Sequence, residues 1–115
     1  MNSYELARKA ALAAVNKKAD RVVLLNLQGL TGIADYFVIC SGEVDVHVKA
    51  IVDEIRSELG DQAKPWHVEG YSHLSWVLMD YVDFVVHIFR KDTRDYYNLE
   101  KLWADARIET FAPPA

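Results

Sequence analysis

The sequence predicts an α/β or α+β protein with a mixed sheet of about five strands and flanking helices. Hydrophobic patterns alternate along the chain in the order helix, strand, strand, helix, three strands and helix. The run 76–89 is rich in Val, Ile, Phe and Trp, as expected of two consecutive strands. Residues 35–71 form a strand–helix–strand passage long enough for a crossover connection, which favours a sheet with both parallel and antiparallel pairs.

The first half of the chain carries two helical patterns with two strands between them. Small and apolar residues recur at helical spacing over about 3–18, where Ser3 is a suitable N-cap. A short strand is predicted over 22–27. The continuous apolar run over 35–41 is typical of a strand buried on both faces. A second amphipathic helix follows over 44–59, because its apolar residues fall on one face.

In the second half of the chain, the sequence pattern predicts strands followed by one helix. Residues 66–71 form a short segment that suits the edge of a sheet. The run 76–89 turns around residues 81–82, although it lacks the Asn-Gly signal of a tight hairpin. A single last helix begins at residue 92 or 93 and continues through Trp103, which we expect to pack it onto the sheet.

Length and charge restrict the kind of protein. A chain of 115 residues is large enough for one core, and we expect one domain over residues 1–111 with a flexible tail at 112–115. Acidic residues outnumber basic ones by 17 to 13, which disfavours direct nucleic-acid binding but suits a basic protein partner.

Several patterns place the chain in a cytoplasm. The N-terminal segment predicts no secretory signal, and no apolar run approaches the roughly 18 residues of a membrane span. A single cysteine, Cys40, permits no internal disulfide and fits a reducing compartment. Its apolar neighbours predict a buried thiol rather than a nucleophile. We therefore expect a cytoplasmic protein.

Four acidic residues offer an enzymatic interpretation. A carboxylate cluster for Mg²⁺ or Mn²⁺ could be formed by Glu43, Asp45, Asp80 and Asp83. The Ser41-Gly42 pair before a helix, followed by Glu43 and Asp45, faintly resembles the glycine-serine and paired-acid motif of nucleotidyltransferases. The alternative function is therefore a metal-dependent nucleotidyltransferase using Asp45, Asp80 and Asp83. Acids at a helix start and a strand end are stabilising without a ligand, so the structural interpretation is favoured.

The histidines do not predict a metal centre. None of the four has the spacing of a zinc-binding helix. His87 lies inside an apolar strand, where a hydrogen-bonded, buried histidine is the favoured interpretation. No phosphate-binding loop is present in the sequence, and no cofactor is expected.

Strand alternation gives a candidate binding surface. Trp76, Leu78 and Asp80 share one face of their strand, while Val77, Met79 and Tyr81 lie on the other. A large aromatic residue beside carboxylates is typical of a protein-binding patch if that face is uncovered. The sequence leaves open whether Trp76 is uncovered or part of the core.

Five segments together resemble the Iojap/RsfS family in order and spacing over nearly the whole chain. They are ADYFVICSG (34–42), HVKAIVDE (47–54), PWHVEG (65–70), WVLMDYVDFVVHIF (76–89) and YNLEKLW (97–103). The resemblance implies a nucleotidyltransferase-like fold without the catalytic residues, and hence no enzymatic activity. It also implies a ribosomal silencing factor, which binds protein uL14 of the large ribosomal subunit and blocks association with the small subunit when nutrients are scarce.

The resemblance also implies the site. The partner-binding surface would centre on Trp76, Leu78 and Asp80, and its expected neighbours are Tyr81, Asp83 and Glu69. We expect a monomer or a weak homodimer in solution. An oligomerising scaffold, in which an exposed strand pairs with a second copy, is the remaining alternative.

Overall fold

The computed structural model describes residues 1–112 and confirms a mixed α+β fold, with six strands rather than about five. Residues 113–115, most of the tail predicted at 112–115, lie outside the described part of the chain. The elements are α1 (Ser3–Asn16), β1 (Asp20–Asn26), β2 (Tyr36–Gly42), α2 (Asp45–Leu59), β3 (His67–Glu69), β4 (Trp76–Asp80), β5 (Phe84–Arg90), α3 (Lys91–Tyr97), α4 (Leu99–Leu102) and β6 (Arg107–Phe111).

The strands lie in the order β3-β4-β5-β2-β1-β6. The central strands β2 and β5 are parallel, and every other neighbouring pair is antiparallel. All seven residues of β2 are buried, as predicted for a strand covered on both faces. The predicted edge position of the segment 66–71 is also confirmed, since β3 lies at one end of the sheet.

The N-cap of helix α1 lies one residue before the predicted cap, and the helix itself begins at Ser3. Asn2, rather than Ser3, accepts a hydrogen bond from the backbone N–H of Glu5 at 2.8 Å, and the Glu5 carboxylate accepts one from the Asn2 N–H at 3.4 Å. This reciprocal arrangement is a capping box. The alanines of α1 are almost completely buried, so the helix backbone lies close to the sheet and to α2.

Both long helices pack on the same face of the sheet. The apolar stripe of α2, predicted from its periodicity, is buried with Val77 and Met79 of β4 and with Val86 and Ile88 of β5. This helix-covered face contains most of the core. Within residues 1–112, no helix combines the length and hydrophobicity needed to cross a membrane.

The opposite face of the sheet is covered only in part. A second apolar cluster contains Phe37, Ile39 and Phe89, and it is closed by Leu99 and Trp103 from the end of the chain. The prediction of one last helix was wrong, because Asn98 adopts a left-handed conformation (φ 47°) that separates α3 from α4. The predicted packing of Trp103 onto the sheet is confirmed.

Strand β6 was not predicted. It pairs with β1 in antiparallel register, for example Ile108 with Leu25 and Thr110 with Val23. Its residues are exposed or only partly buried, so it carries little of the apolar signal that marks an internal strand. Backbone pairing, rather than side-chain burial, defines this edge.

The β4–β5 turn contains a strained residue, and its replacement should stabilise the fold. Val82 has φ +74°, and the N–H of Asp83 donates to the carbonyl of Tyr81 at 3.0 Å, which closes a γ-turn. A β-branched residue in this region costs about 1–2 kcal/mol, and Val82 is 60% exposed and loses little burial on replacement. We expect Val82→Gly to raise the free energy of unfolding by about 0.5–1 kcal/mol, since added unfolded-state entropy offsets part of the gain.

Urea denaturation measures this change as a higher midpoint with an unchanged slope. Val46→Gly is the matched control, because Val46 is 77% exposed but lies within α2. Glycine should not stabilise that helical position. A lower midpoint for Val82→Gly than for the parent would contradict the interpretation of strain.

Candidate protein-binding face

The tertiary structure uncovers one row of β4 side chains. Trp76, Leu78 and Asp80 point away from α1 and α2, and each is partly exposed. The alternate residues Val77 and Met79 are completely buried on the helix-covered face. The two faces of β4 are therefore those predicted by strand alternation, and the face that carries Trp76 is the one that α1 and α2 do not cover.

Strand β3 extends this row to the edge of the sheet. Glu69 lies opposite Leu78, and His67 lies opposite Asp80, so their side chains share its face. Both are exposed, and His67 Nε2 lies 3.3 Å from a carboxylate oxygen of Glu69. We define the β4 face as Trp76, Leu78, Asp80, Glu69 and His67. It combines a partly exposed apolar centre with an acidic rim.

Trp76 is held in one orientation by aromatic neighbours. Its ring is stacked on Phe89 at a centroid distance of 4.9 Å and contacts Tyr97 at 4.7 Å. The indole N–H donates a hydrogen bond to Nδ1 of His87 at 3.1 Å. A groove of about 510 Å³ lies beside the indole and is lined by Ser75, Trp76, Arg90, Asp92, Thr93, Tyr96 and Tyr97.

His87 is buried, as predicted. It is 4% exposed, and desolvation by burial lowers the pKa of its imidazole to about 4. The ring is therefore neutral at neutral pH, and Nδ1 is free to accept the indole proton. Its edge also contacts Phe37 at a centroid distance of 4.6 Å.

The acids near the β4 face have few internal partners. One carboxylate oxygen of Asp80 accepts the backbone N–H of Val82 at 2.8 Å, which confirms that this acid terminates the strand. Asp83 is exposed in the same turn, and its carbonyl accepts the N–H of Asp35 at 2.8 Å. Within residues 1–112, no Lys or Arg nitrogen lies within 4.0 Å of the carboxylates of Asp80 or Asp83. Neither carboxylate is therefore paired with a Lys or Arg of the described chain, and Asp83 is exposed to solvent.

Tyr81 lies on the face of Val77 and Met79, as strand alternation predicted, and not beside Trp76 as the family resemblance implied. It is 8% exposed and packs on the helix-covered face, where its ring is stacked on Phe84 at 4.8 Å. Burial raises the pKa of its hydroxyl to about 12. A partner at the β4 face cannot reach this side chain without unfolding the turn, so Tyr81 is removed from the proposed contacts.

The acids of the enzymatic alternative have other roles. Asp45 accepts a hydrogen bond from Arg90 at 3.1 Å, and Arg90 also binds Asp92 at 2.9 Å. Across the described residues, no group of three or more His, Cys, Asp or Glu side chains is arranged to hold a metal ion. Cys40 is completely buried, and desolvation raises the pKa of its thiol to about 12, as expected of a structural cysteine.

Sequence reasoning missed two contributors to this region. Tyr97 is half-exposed and extends the aromatic contacts of Trp76 onto α3. Its proximity to Trp76 depends on the packing of α3 against β5, which the sequence pattern does not predict. His67 could have been found from strand alternation, because it is two residues from Glu69. The β4 face is therefore wider than the β4 strand.

The fold and the site together define a small mixed-sheet α+β protein whose candidate site is an open face rather than an enclosed cleft. The family model described as "Ribosomal silencing factor during starvation" matches residues 1–114. The chain belongs to this family, which confirms the resemblance found in the sequence and makes it a member of a family that regulates translation.

Relatives over nearly the full length support the assignment. The chain is 48% identical over 109 residues to a ribosomal silencing factor from Halalkalibacterium halodurans, with 92% of both chains covered. It is 46% identical over 111 residues to the same factor from Bacillus subtilis, with 94% of this chain and 92% of that protein covered. A crystal structure of a Chromobacterium violaceum protein superposes with a TM-score of 0.86 at 28% identity, with 90% of this chain and 88% of that one covered.

Proposed function

We propose that this protein binds ribosomal protein uL14 on the large ribosomal subunit through the β4 face. The bound protein occupies space that the small subunit needs, so the two subunits do not associate. Translation is thereby repressed in the bacterial cytoplasm under nutrient limitation. The mechanism is steric exclusion, in which no covalent bond is made or broken and no cofactor is needed.

One observation carries the proposal. Trp76 is fixed by its neighbours yet keeps part of its surface free. It lies on the same face as the carboxylate of Asp80, which has no Lys or Arg partner within residues 1–112. A rigid aromatic group loses little conformational entropy on binding, and such groups dominate the energetics of protein interfaces. Unpaired acids at the rim complement a basic partner and accelerate its encounter.

Leu78, Glu69 and Asp83 complete the proposed contact surface. Leu78 lies next to Trp76 on the face and contributes apolar area. Glu69 and Asp83 lie at the edge and at the turn, where they contribute charge rather than buried area. The metal-dependent nucleotidyltransferase is not favoured, because Asp45 is paired with Arg90.

The proposal is tested with Trp76→Ala and Asp80→Lys. We expect Trp76→Ala to weaken binding to purified large subunits by about 30- to 100-fold, as for truncation of a central aromatic anchor. Asp80→Lys should weaken it by about tenfold or more and reduce the salt dependence of the association rate. Asp80→Asn separates charge from structure, since its side-chain oxygen can still accept the N–H of Val82. Co-sedimentation and a subunit-association assay give the two readouts.

Controls come from exposed positions elsewhere. Ile108→Ala removes an apolar side chain (48% exposed) from the opposite edge of the sheet. Asp61→Lys reverses a fully exposed charge in the turn after α2. Thermal unfolding of each variant identifies losses caused by misfolding. If Trp76→Ala and Asp80→Lys both bind and block subunit association like the parent, the proposed surface is wrong.

A further inference from the structure

A buried imidazole stands in an apolar cluster. His87 lies in the centre of the sheet, with Leu78 opposite on β4 and Ile39 opposite on β2. Phe37 contacts it at a centroid distance of 4.6 Å, and Phe89 at 6.2 Å. An apolar side chain of similar size would satisfy this environment without placing polar atoms in it.

The hydrogen bond to Trp76 fixes the tautomer of His87. An indole N–H can only donate, so Nδ1 of the imidazole must be the unprotonated acceptor. The proton of the neutral ring is then on Nε2, which is buried and has no hydrogen-bond partner among the described residues. A buried donor without an acceptor is unfavourable for folding. The acceptor atom offered to Trp76 is therefore the specific contribution of this histidine.

We infer that His87 is a positioning residue that fixes the indole of Trp76 for the partner. The indole has one polar atom, and its hydrogen bond turns that atom inward toward β5. Every other ring atom is carbon, so the surface that Trp76 presents is apolar. The group that docks on it is accordingly an apolar side chain of the partner rather than a hydrogen-bond acceptor. This inference rests on the function proposed above.

The first experiment examines the free protein. In His87→Leu the indole N–H loses its acceptor, while His87→Asn keeps an oxygen at the position equivalent to Nδ1. We expect the indole proton of Trp76 to exchange with solvent more than about tenfold faster in His87→Leu than in the parent, and His87→Asn to restore much of the protection. Proton–nitrogen NMR spectra resolve this signal, and Trp66 and Trp103 serve as internal references.

The second experiment measures binding to purified large ribosomal subunits. His87→Leu should weaken binding by about tenfold, and His87→Asn should recover most of that loss. Trp76→Phe retains an aromatic ring but has no N–H to position. In the Trp76→Phe background, His87→Leu should therefore have little further effect. A purely structural role would lower affinity equally in both backgrounds.

The outcomes separate the inference from the proposed function. If Trp76→Ala binds like the parent, both the proposed surface and the positioning role are wrong. If Trp76→Ala loses binding but His87→Leu retains it, or loses it equally in the Trp76→Phe background, the positioning role alone is overturned. A tenfold loss coupled to Trp76 and rescued by Asn supports it.

Discussion

Replacing Gly70 with Ala is expected to lower the free energy of unfolding by about 2–5 kcal/mol, from the combined costs of a left-handed backbone and an overpacked site. Gly70 has φ +83°, a conformation that L side chains rarely adopt. A Cβ atom there would overlap with the carbonyl oxygen of Trp76, which belongs to the backbone. A backbone atom cannot rotate away as a flexible side chain can, so the chain itself must shift.

The shift would reach the β4 face directly. Gly70 opens the turn between β3 and β4, where its carbonyl accepts hydrogen bonds from the N–H groups of His73 at 3.1 Å and Leu74 at 2.9 Å. Trp76 is the first residue of β4. We therefore expect Gly70→Ala to weaken binding to the large subunit as well as stability.

Gly29 supplies a matched control. It has the same φ of +83°, but a Cβ there meets nothing within 4 Å. Gly29→Ala should cost only the backbone term of about 1–2 kcal/mol. Urea denaturation gives the free energy of unfolding of both variants, and the difference between their losses is the cost of the overlap with Trp76. Equal losses for the two substitutions would show that the close approach has no energetic consequence.

Replacing Arg94 with Ala should lower the free energy of unfolding by about 3 kcal/mol, because it removes a buried cation together with its hydrogen bonds. Arg94 is 2% exposed. Its Nη1 donates to the backbone carbonyl of Asp20 at 3.1 Å and to the hydroxyl of Ser41 at 3.2 Å, and its Nε lies 3.5 Å from the Glu100 carboxylate. These contacts join α3 to the beginning of β1 and the end of β2.

A second replacement separates volume from polarity. Burial lowers the pKa of the Arg94 guanidinium, and the charge of Glu100 partly offsets that effect. The desolvation of this cation is therefore itself unfavourable. Arg94→Met keeps most of the aliphatic volume without the charge, and we expect it to cost about 1–2 kcal/mol, less than Ala.

Thermal and urea unfolding give both values, and the order of the two variants is the informative result. A loss below about 1 kcal/mol for Arg94→Ala would mean that α3 is attached to the sheet mainly by its other contacts. Arg8→Ala is a suitable control, because Arg8 is a half-exposed partner of Glu109 at 3.8 Å. Such exposed pairs contribute little.

The sequence was sufficient to predict those helices and strands whose hydrophobic pattern is local. The stripe of α2 and the apolar runs of β2, β4 and β5 predicted their elements, because periodicity reflects which residues share a face. The C-cap of α2 is Gly60, a residue type that commonly ends helices. Alternation also placed Trp76, Leu78 and Asp80 together. The charge balance indicated only a basic protein partner, and the family resemblance added the expectation that this partner is ribosomal.

Contacts between residues distant in sequence are established only by the tertiary structure. Asp45 was a candidate metal ligand until Arg90, which is 45 residues away, was seen to bind it. Arg94 carried no signal, since a polar side chain in a short helix is normally exposed and this one is buried only because two strand ends meet there. Strand β6 was missed because its pairing with β1 is made by backbone atoms.

The amino-acid order alone determined which side chains of β4 lie together, because successive residues of a strand point to opposite faces. Only the tertiary structure decided which of those two groups is open. Helices α1 and α2 both pack on the face of Val77 and Met79, so the core is completed there and the side of Trp76 is left partly free. Which face is covered depends on where α1 and α2 pack on the sheet, and the sequence of a single strand does not determine that packing.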